Sequence, residues 1–373
     1  MKDCCSNNCC EAPRNEESSI YNDQDNSPWI LELVNSPVGK IRKIKTWLEP
    51  QDILGTIRVR LGIRRNDYAI SPGLYAVGSP DDKSPVLVTA NYKLTFDSLR
   101  KELNNQNLWI LVLDTKGINI WCAAGKGTFG TKELIHRINL VKLNKVISHK
   151  TLILPQLGAP GVAAHEITKN TGFKVIYGPV RASDIPQFLD NNLKATQDMR
   201  RVHFTLKDRL LLIPVEVIYA YKFVPVIFVI LLIINLINPG EINIVEASLQ
   251  SLFNLIPFLI SILLGTVGIA ALLPYIPFKS FALKGLLLGL VSVAMVVKYN
   301  SFFNFPDSVL IIIANSLFLI SITSYLGLNF TGSTTYTSLS GVQKETLLAI
   351  PIIIAALVIG LCLIITNKIM LFI

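Results

Sequence analysis

Charged residues are almost absent from the second part of the chain. The 373 residues include 35 Lys/Arg and 26 Asp/Glu, yet only six lysines, five carboxylates and no arginine follow Val215. Such a composition excludes a second soluble domain with a hydrated surface and indicates a membrane domain. The part before it carries +8 of the formal net charge of +9. Beside so apolar a region, this basic balance favours anionic membrane lipid as a partner, and no nucleic-acid partner is expected.

The apolar region consists of separate runs, each close to the ~20 residues that a helix needs to cross a bilayer. Five spans are predicted within a transmembrane domain of residues 211–373, at about 219–238, 252–273, 280–297, 308–327 and 347–366. Gly285 and Gly289 in the short third span are typical of close helix packing. The loop 239–251 lacks Lys and Arg and is expected outside, although Lys298 and Lys368 would also face out. These features predict a multi-pass protein of the cytoplasmic (inner) membrane, with its basic domain on the cytoplasmic side.

The chain also has few cysteines, and they do not form the framework of a disulfide-rich domain, so a reducing cytosolic environment suits them. Four lie in a polar N-terminal tail, residues 1–26, that is predicted to be disordered and to contain no signal peptide. Neighbouring thiols suit a soft ion such as Hg(II), Cu(I) or Zn(II), although an adventitious cysteine-rich tail is the other interpretation. The tail cysteines are Cys4, Cys5, Cys9 and Cys10, and the other two are Cys122 and Cys362.

Between the tail and the membrane domain, residues 27–210 alternate short apolar runs with helical periodicity. Runs at 85–90, 108–113, 152–154 and 173–177 predict buried strands, each followed by a helix. This alternation predicts a Rossmann-like α/β domain with a mainly parallel sheet. Because ligands of such sheets bind at the carboxyl ends of the strands, the loops after these runs are expected to converge on one ligand. In the first of them, Thr95 is predicted to cap the next helix.

A basic cluster precedes the predicted strands. Four basic residues lie between residues 40 and 45, and Arg58, Arg60, Arg64 and Arg65 follow. These charges could bind phospholipid or a polyanionic cofactor, but a solvated basic face is the favoured interpretation.

The most unusual stretch is residues 119–127, Asn-Ile-Trp-Cys-Ala-Ala-Gly-Lys-Gly, which follows the second predicted strand. Cys122 lies where that strand is followed by a helix, whose unpaired N–H groups and positive dipole end favour a thiolate. Lys126 adds positive charge, and the residues after the thiol are too small to block a large planar ligand. Cys122 is therefore a candidate soft metal ligand or nucleophile, with a buried structural cysteine as the alternative.

The run Asn-Ile-Trp-Cys-Ala-Ala-Gly-Lys at residues 119–126 resembles the cap-helix motif of the membrane corrinoid protein family of mercury methylation. The resemblance extends from about Ile57 to the C-terminus, and a weaker one relates the chain to the corrinoid iron–sulfur protein large subunit. It implies a corrinoid-binding domain whose cofactor is cobalamin or a related corrinoid, with the Cys122 thiolate as the lower ligand of cobalt. The histidine signature Asp-x-His-x-x-Gly of other B12 proteins is absent around all four histidines, so a histidine ligand is unsupported.

The resemblance also implies a corrinoid-dependent methyltransferase that moves a methyl group from methylcob(III)alamin to Hg(II), forming methylmercury. The implied partners are a methyl donor of the methyltetrahydrofolate or corrinoid-protein type, and a ferredoxin-type protein with two 4Fe–4S clusters as electron donor. Cys122 is the expected catalytic and cobalt-binding residue, and the tail cysteines are candidate ligands for Hg(II). The expected corrinoid contacts are Asn119, Trp121, Cys122, Ala123, Ala124, Gly125, Lys126, Thr89, Asn91, Tyr92, Gln156, Gly158 and Gly161.

Other functions stay open at this point. The chain could be a membrane-tethered corrinoid methyl carrier of one-carbon metabolism with another acceptor, or a non-enzymatic membrane protein that binds thiophilic metals. Gly125, Gly127 and Gly130 also fit the G-x-G-x-x-G pattern of dinucleotide sites, but the 146–150 region lacks the acid expected about 20 residues later. The hydroxyl-rich loop 329–345 is predicted to touch the cofactor or the electron-donating partner, with a solvated linker as the alternative.

Overall fold

The computed structural model describes residues 27–237, 243–299, 308–334, 337, 339–371 and 373. The predicted disorder of residues 1–26 and the tail cysteines Cys4, Cys5, Cys9 and Cys10 lie outside the described residues. The chain divides into two compact units. The first contains the residues up to Val59 together with Arg64–Arg201, and the second contains Arg60–Ile63 and Val202–Ile373.

Within the described residues, one seven-stranded sheet forms the centre of the first unit. Its strands are β1 Ile30–Ser36, β2 Gly39–Ile44, β3 Gly73–Val77, β4 Val86–Ala90, β5 Leu108–Leu113, β6 Thr151–Leu154 and β7 Lys174–Tyr177. Their spatial order is β1-β2-β3-β5-β4-β6-β7. Strands β4 to β7 are parallel to one another, β3 pairs with β5 in the antiparallel direction, and β2 and β1 extend the sheet beyond β3. The expected α/β class with a mainly parallel sheet is confirmed.

Helices cover both faces of this sheet. They are α1 Pro50–Arg60, α2 Lys93–Arg100, α3 Ile120–Lys126, α4 Thr131–Leu140, α5 Ala164–Thr171 and α6 Ile185–Asp190. One core includes Phe96 of α2 and Phe188 of α6, and the other includes Leu134 of α4 and Ile167 of α5. Successive residues of β5 belong alternately to these two cores, as the two-residue period of a strand requires. This explains why a strand buried on both faces has a continuous apolar sequence.

Three strands of the sheet were not predicted from the sequence, and one helix begins at a different residue than predicted. Strands β1, β2 and β3 were not predicted, because β1 and β2 are partly exposed and carry polar residues, and β3 is a short run without a following helix. The prediction that Thr95 caps the next helix was wrong: α2 begins at Lys93, with Tyr92 as its N-cap residue. The Lys93 side chain pairs with Asp97 one turn later in α2 and with Asp52 of α1, so residue 93 makes its contacts as part of the helix.

A buried cluster of two acids and two bases joins α1 to α2. Lys93 Nζ lies 2.7 Å from Asp52 and 2.6 Å from Asp97, and Arg100 lies 2.6 Å and 2.7 Å from the same two carboxylates. Burial opposes the ionisation of Asp52, but the hydrogen bonds that it accepts, from Lys93 foremost, outweigh this and hold its pKa below the ordinary value. Buried charges are tolerated when they neutralise one another in this way.

The second unit is helical in its described residues. Its helices are α7 Leu206–Leu210, α8 Ile213–Tyr221, α9 Val224–Leu236, α10 Ile244–Leu263, α11 Ile269–Leu272, α12 Phe281–Lys298, α13 Val309–Phe330 and α14 Leu339–Met370. A π-helical turn, Leu264–Gly268, joins α10 to α11. Five helical segments of the described chain are long and apolar enough to cross a membrane, namely Leu206–Leu236, Ile244–Leu272, Phe281–Lys298, Val309–Phe330 and Ser340–Met370. Several extend beyond the predicted spans, because the helices continue past their apolar cores.

Helices α12 and α13 pack closely through glycine. A Cβ atom at Gly285 would overlap the backbone of Thr323, and one at Gly289 would overlap the Thr323 hydroxyl. The close packing predicted for Gly285 and Gly289 is confirmed. Without side chains at these two positions, the backbones approach each other as they do at small-residue interfaces of membrane helices.

The polar segment 329–345 forms a shorter connection than predicted, because α13 runs to Phe330 and α14 begins at Leu339. Glu345 of α14 accepts hydrogen bonds of 2.8 Å from Ser280 Oγ and from Ala282 N. These groups lie at the start of α12, where N–H groups have no partner within the helix. Glu345 therefore stabilises a helix end, and contact of this segment with a cofactor or an electron donor stays a prediction.

Candidate functional site

The loops that follow the parallel strands emerge at one edge of the sheet. Because β4 to β7 run in the same direction, the segments 91–92, 114–119, 155–163 and 178–184 all leave the strands at their carboxyl ends. The loops that were predicted from the sequence to bind one ligand lie in these four segments. The structure therefore brings their starting points to one edge, which is where ligands of open α/β sheets bind.

Cys122 lies in the first turn of α3, directly after the loop that follows β5. Asn119 is the N-cap residue, and its side-chain oxygen accepts a hydrogen bond of 2.9 Å from the Cys122 backbone N. This bond satisfies one of the N–H groups that a helix start leaves unpaired, and it fixes the direction in which the chain enters α3. Cys122 itself is half-buried, so it is not a core cysteine.

The two sides of α3 differ sharply in exposure. Ala123 and Ala124 are buried in the core beneath the helix. Trp121 is 36% exposed, and Gly125 and Lys126 are also exposed. Residues 121 and 125 are one helical turn apart, so a large aromatic ring and a residue without a side chain share the outer face. At 100° per residue, Cys122 lies between Gly125 and Lys126 on this outer face, where it is half-buried.

The loop after β6 packs directly against α3. A Cβ atom at Gly161 would overlap the Phe129 carbonyl oxygen and lie 3.0 Å from Ala124 Cα. A Cβ at Gly158 would overlap the Phe129 ring. Gly158 and Gly161 thus lie beside α3 and Phe129. A side chain at either position would overlap Phe129, so close packing explains why both residues are glycine. Their contact with a corrinoid stays a prediction.

Asn91 organises the loop after β5. Its side-chain oxygen accepts hydrogen bonds from Thr115 N, Thr115 Oγ1 and Gly117 N, at 3.0, 2.8 and 3.0 Å, and its amide donates to Asp114 at 3.2 Å. Burial opposes the ionisation of Asp114, but hydrogen bonds from Lys116 outweigh it and hold the pKa of Asp114 below its ordinary value. The Asn91 side chain therefore holds the loop that leads to α3, and a direct cofactor contact by Asn91 stays a prediction.

The remaining expected contacts occupy different places. Thr89 and Tyr92 are 1% and 6% exposed, respectively. Because side chains alternate along β4, Thr89 faces the side of the sheet covered by α2, whereas Ala90 belongs to the core beneath α3. The structure thus does not bring the Thr89 side chain to the face of α3. Gln156 lies at the start of the loop after β6, where its side-chain oxygen accepts a hydrogen bond of 2.9 Å from Arg200.

Two residues that support the site were not predicted as part of it. Phe129 fills the space between α3 and the glycines of the loop after β6. Glu133 accepts a hydrogen bond of 2.9 Å from Asp114 N and forms an ion pair of 2.8 Å with Arg137. The four-residue spacing of Glu133 and Arg137 is a usable sequence signal for that pair. The contact with Asp114 has no such signal, because it joins a helix to a distant loop.

The described residues do not form a metal site of their own. No group of three or more His, Cys, Asp and Glu side chains within the described ranges could hold a metal ion. Cys122 can therefore offer one ligand to a metal whose other ligands come from elsewhere. A thiolate is a soft, strongly donating ligand, and exposed Gly125 has no side chain that would block a planar group on the outer face of α3. The donor set thus fits a metal that is already held by a macrocycle.

Comparison with known proteins finds similarity in the α/β part of the chain. Residues 44–189 match the family model described as the CO dehydrogenase/acetyl-CoA synthase delta subunit. This region includes α3 and all four parallel strands, and it ends before Leu206, where the first candidate membrane span begins.

Individual relatives agree with this match. The chain is 30% identical over 128 residues to the acetyl-CoA decarbonylase/synthase complex subunit gamma of Methanopyrus kandleri, an alignment that covers 34% of this chain and 27% of the relative. It is 31% identical over 122 residues to the corrinoid/iron-sulfur protein large subunit of Moorella thermoacetica, covering 32% and 27%. The chain thus spans about a quarter of the length of these relatives. The matched part is thus similar to a corrinoid/iron-sulfur protein subunit and to a subunit of an acetyl-CoA decarbonylase/synthase complex.

Proposed function

We propose that this chain is a membrane-anchored corrinoid protein of methyl transfer in which the Cys122 sulfur is a ligand of cobalt. One observation carries the proposal: a half-buried cysteine on the outer face of α3, at the carboxyl edge of four parallel strands. The name of the Moorella thermoacetica relative supports a corrinoid as the cofactor. The five apolar helices support a membrane anchor.

The surrounding residues would hold Cys122 and present it to the cofactor. The Asn119 cap fixes the first turn of α3, and buried Ala123 and Ala124 fix its inner side. Exposed Trp121 offers an apolar surface, and Lys126 offers a positive charge to the negatively charged or polar groups of a corrinoid. Their common effect is to keep the thiol in one position while leaving the outer face open.

The acceptor that we propose is Hg(II), and the product is methylmercury. A bound corrinoid would supply a methyl group together with its electron pair, which an electrophile such as Hg(II) requires. The Cys122 sulfur would donate charge to the metal, since the choice of protein ligand is a main way in which a protein controls such a cofactor. The resemblance of residues 119–126 to the motif of mercury methylation supports this acceptor. A methyl donor of the methyltetrahydrofolate type delivers its methyl group without the electron pair that Hg(II) requires, so two electrons must be supplied in each turnover. An electron donor of the ferredoxin type, with two 4Fe–4S clusters, is therefore part of the proposal.

A second candidate is a methyl carrier of one-carbon metabolism with a different acceptor. The observation that favours it is the match to acetyl-CoA decarbonylase/synthase subunits gamma. Cys122 and α3 would have the same role in both candidates. Only the identity of the acceptor distinguishes them.

The test uses the full chain in detergent, loaded with cobalamin, in three forms: wild type, Cys122→Ala, and Cys362→Ala as a matched control. Cys362 is an exposed cysteine of the second unit. The expected result is a sulfur-to-cobalt absorption signature in the wild type and the control, and its loss in Cys122→Ala. Methylmercury formation should fall by at least about 100-fold in Cys122→Ala and stay unchanged in the control.

Each outcome separates the candidates. A sulfur–cobalt signature without methylation of Hg(II) would support the one-carbon carrier and reject mercury as the acceptor. The same spectrum and rate in Cys122→Ala as in the wild type would reject Cys122 as the ligand. Failure of all three forms to bind cobalamin would reject the corrinoid proposal. Cys122→His is a useful addition, because imidazole is another ligand for cobalt and should restore part of the activity.

A further inference from the structure

Helix α1 presents an apolar face away from the protein. Ile53, Leu54 and Ile57 are 51%, 48% and 49% exposed, whereas Asp52 and Val59 are 5% and 2% exposed. At 100° per residue, the three exposed side chains lie within one sector of the helix, opposite the two buried ones. An ordinary surface helix of a soluble protein has the reverse pattern, with its polar side outward. Among the described residues, none covers the side chains of Ile53, Leu54 and Ile57, which form this apolar face of α1.

Arginines border the apolar face. On the helix, Arg58 and Arg60 flank the sector on its two sides, and Arg64 and Arg65 follow directly after α1. Arg58 and Arg64 are exposed. The sequence from residue 53 to residue 66 contains these four arginines and no carboxylate. The surface thus combines aliphatic side chains with positive charge alone.

The last residue of α1 and the three residues after it, Arg60–Ile63, belong to the second unit. Arg60 donates a hydrogen bond of 3.3 Å to the Leu211 carbonyl, and Gly62 lies against Tyr219 and Val215, whose atoms would be 3.6 Å from a Cβ at that position. The contacted residues lie in the segment Leu206–Leu236, the first of the candidate spans. Exposed Tyr219 is also of the residue type that is enriched where a span leaves the bilayer. The end of α1 and the residues after it thereby contact the first candidate span.

We propose that α1 lies in the plane of the membrane surface, with Ile53, Leu54 and Ile57 in the acyl boundary and the arginines bound to anionic phospholipid headgroups. An exposed apolar face bordered by basic residues is the pattern of helices that bind such surfaces, and each arginine adds electrostatic attraction. A second copy of the chain would bring its own arginines to the same face and is disfavoured by their repulsion. The proposal does not depend on a corrinoid or on mercury.

The test places a reporter on the helix of the full chain. The variants Ile57→Trp and, as a matched control, Leu33→Trp are reconstituted in lipid nanodiscs that contain brominated acyl chains. Leu33 lies on β1 and is 51% exposed, similar to Ile57, but it lies outside the apolar face of α1. Brominated chains quench indole fluorescence only on contact. The discs contain phosphatidylcholine alone or with phosphatidylglycerol.

The expected result is about twofold quenching of the added fluorescence in Ile57→Trp in discs with phosphatidylglycerol, and none in Leu33→Trp. Arg58→Gln combined with Arg64→Gln should reduce this quenching, and so should discs of phosphatidylcholine alone. Amide exchange of α1 in the unmodified chain should slow in anionic discs relative to detergent. Equal quenching of the added fluorescence in the two tryptophan variants would overturn the proposal. So would protection of α1 that depends on protein concentration and not on lipid charge, since a second copy would then be the occupant.

Discussion

A single side-chain hydrogen bond positions Cys122. The Asn119 oxygen accepts from the Cys122 N at 2.9 Å, and both residues lie in the turn that joins the loop after β5 to α3. At this scale the sequence is informative, because asparagine before a short helical run is a recognisable cap. The same sequence does not show which side of α3 faces solvent. That depends on Phe129, Gly158 and Gly161, which come from elsewhere in the fold.

Replacing the cap should loosen α3 and leave the rest of the unit unchanged. Asn119→Ala removes the acceptor for Cys122 N and should destabilise α3 by about 1 kcal/mol, whereas Asn119→Asp should keep the bond. Amide exchange in α3 should therefore be about fivefold faster in the alanine variant, and near the wild-type rate in the aspartate variant. Exchange in β5 should not change. Equal exchange rates in α3 of all three proteins would show that the cap does not hold the helix.

At the scale of elements, the contact between α1 and α2 depends on the buried cluster of Asp52, Lys93, Asp97 and Arg100. The sequence provides the charges, but nothing in it indicates that residues 52 and 100 meet. The local pattern predicted a loop at residue 93, whereas α2 begins at this residue. Lys93 pairs with Asp97 four residues later in the same helix, which is a sequence signal that the prediction did not use, and with Asp52 of α1, which has no such signal.

Asp52→Asn should destabilise the contact between α1 and α2 by about 3 kcal/mol, because Lys93 and Arg100 would then share one carboxylate in a buried site. Chemical denaturation of the full chain in detergent, with amide exchange of α2 as the local readout, measures the loss. Glu32→Gln is the control. It removes the ion pair between Glu32 and Lys43, in which the Glu32 side chain is 56% exposed. The control should leave the denaturation midpoint nearly unchanged, and an equal loss in both variants would contradict the assigned role of the cluster.

The same cluster predicts a pH dependence. The pKa of Asp52 is held below its ordinary value by the hydrogen bonds that outweigh burial. A carboxylate with a lowered pKa in the folded state contributes stability above its unfolded pKa of about 3.9, and this contribution is lost as the pH falls through the folded-state pKa. The wild type should therefore lose stability below about pH 4 more steeply than Asp52→Asn. Denaturation midpoints measured from neutral pH to about pH 3 test this, and parallel curves would be the contrary result.

At the scale of the whole molecule, the chain forms two units with separate cores. The first is an α/β unit with cores on both faces of its sheet, and the second is a set of long apolar helices. In the second unit, the packing of α12 on α13 requires glycine at two positions one helical turn apart. The composition of the sequence indicates the division into units, because charge almost disappears after Val215.

Gly289→Leu should disrupt this helix packing. Its side chain would overlap the Thr323 hydroxyl and the Ile320 backbone, so α12 and α13 would have to separate, at a cost of about 2 kcal/mol or more. The melting temperature of the full chain in detergent, followed by far-ultraviolet circular dichroism, measures the effect. Gly332→Leu is the control, because no atom of the described residues lies within 4 Å of a Cβ at that position. A variant that melts like the control would show that the glycine contact is not required.

The sequence by itself determined the class of each unit, the four parallel strands and the position of Cys122 at a helix start. These features follow from local properties, namely hydrophobic period, run length, charge content and a cap residue, so a stretch of the chain carries them alone. Only the tertiary structure decided the order of the strands, the burial of Asp52 with Lys93, the packing of Gly161 on α3, and the outward direction of the apolar face of α1. The physical reason is that burial and contact depend on segments far apart in the chain, and a local pattern does not record which of them meet.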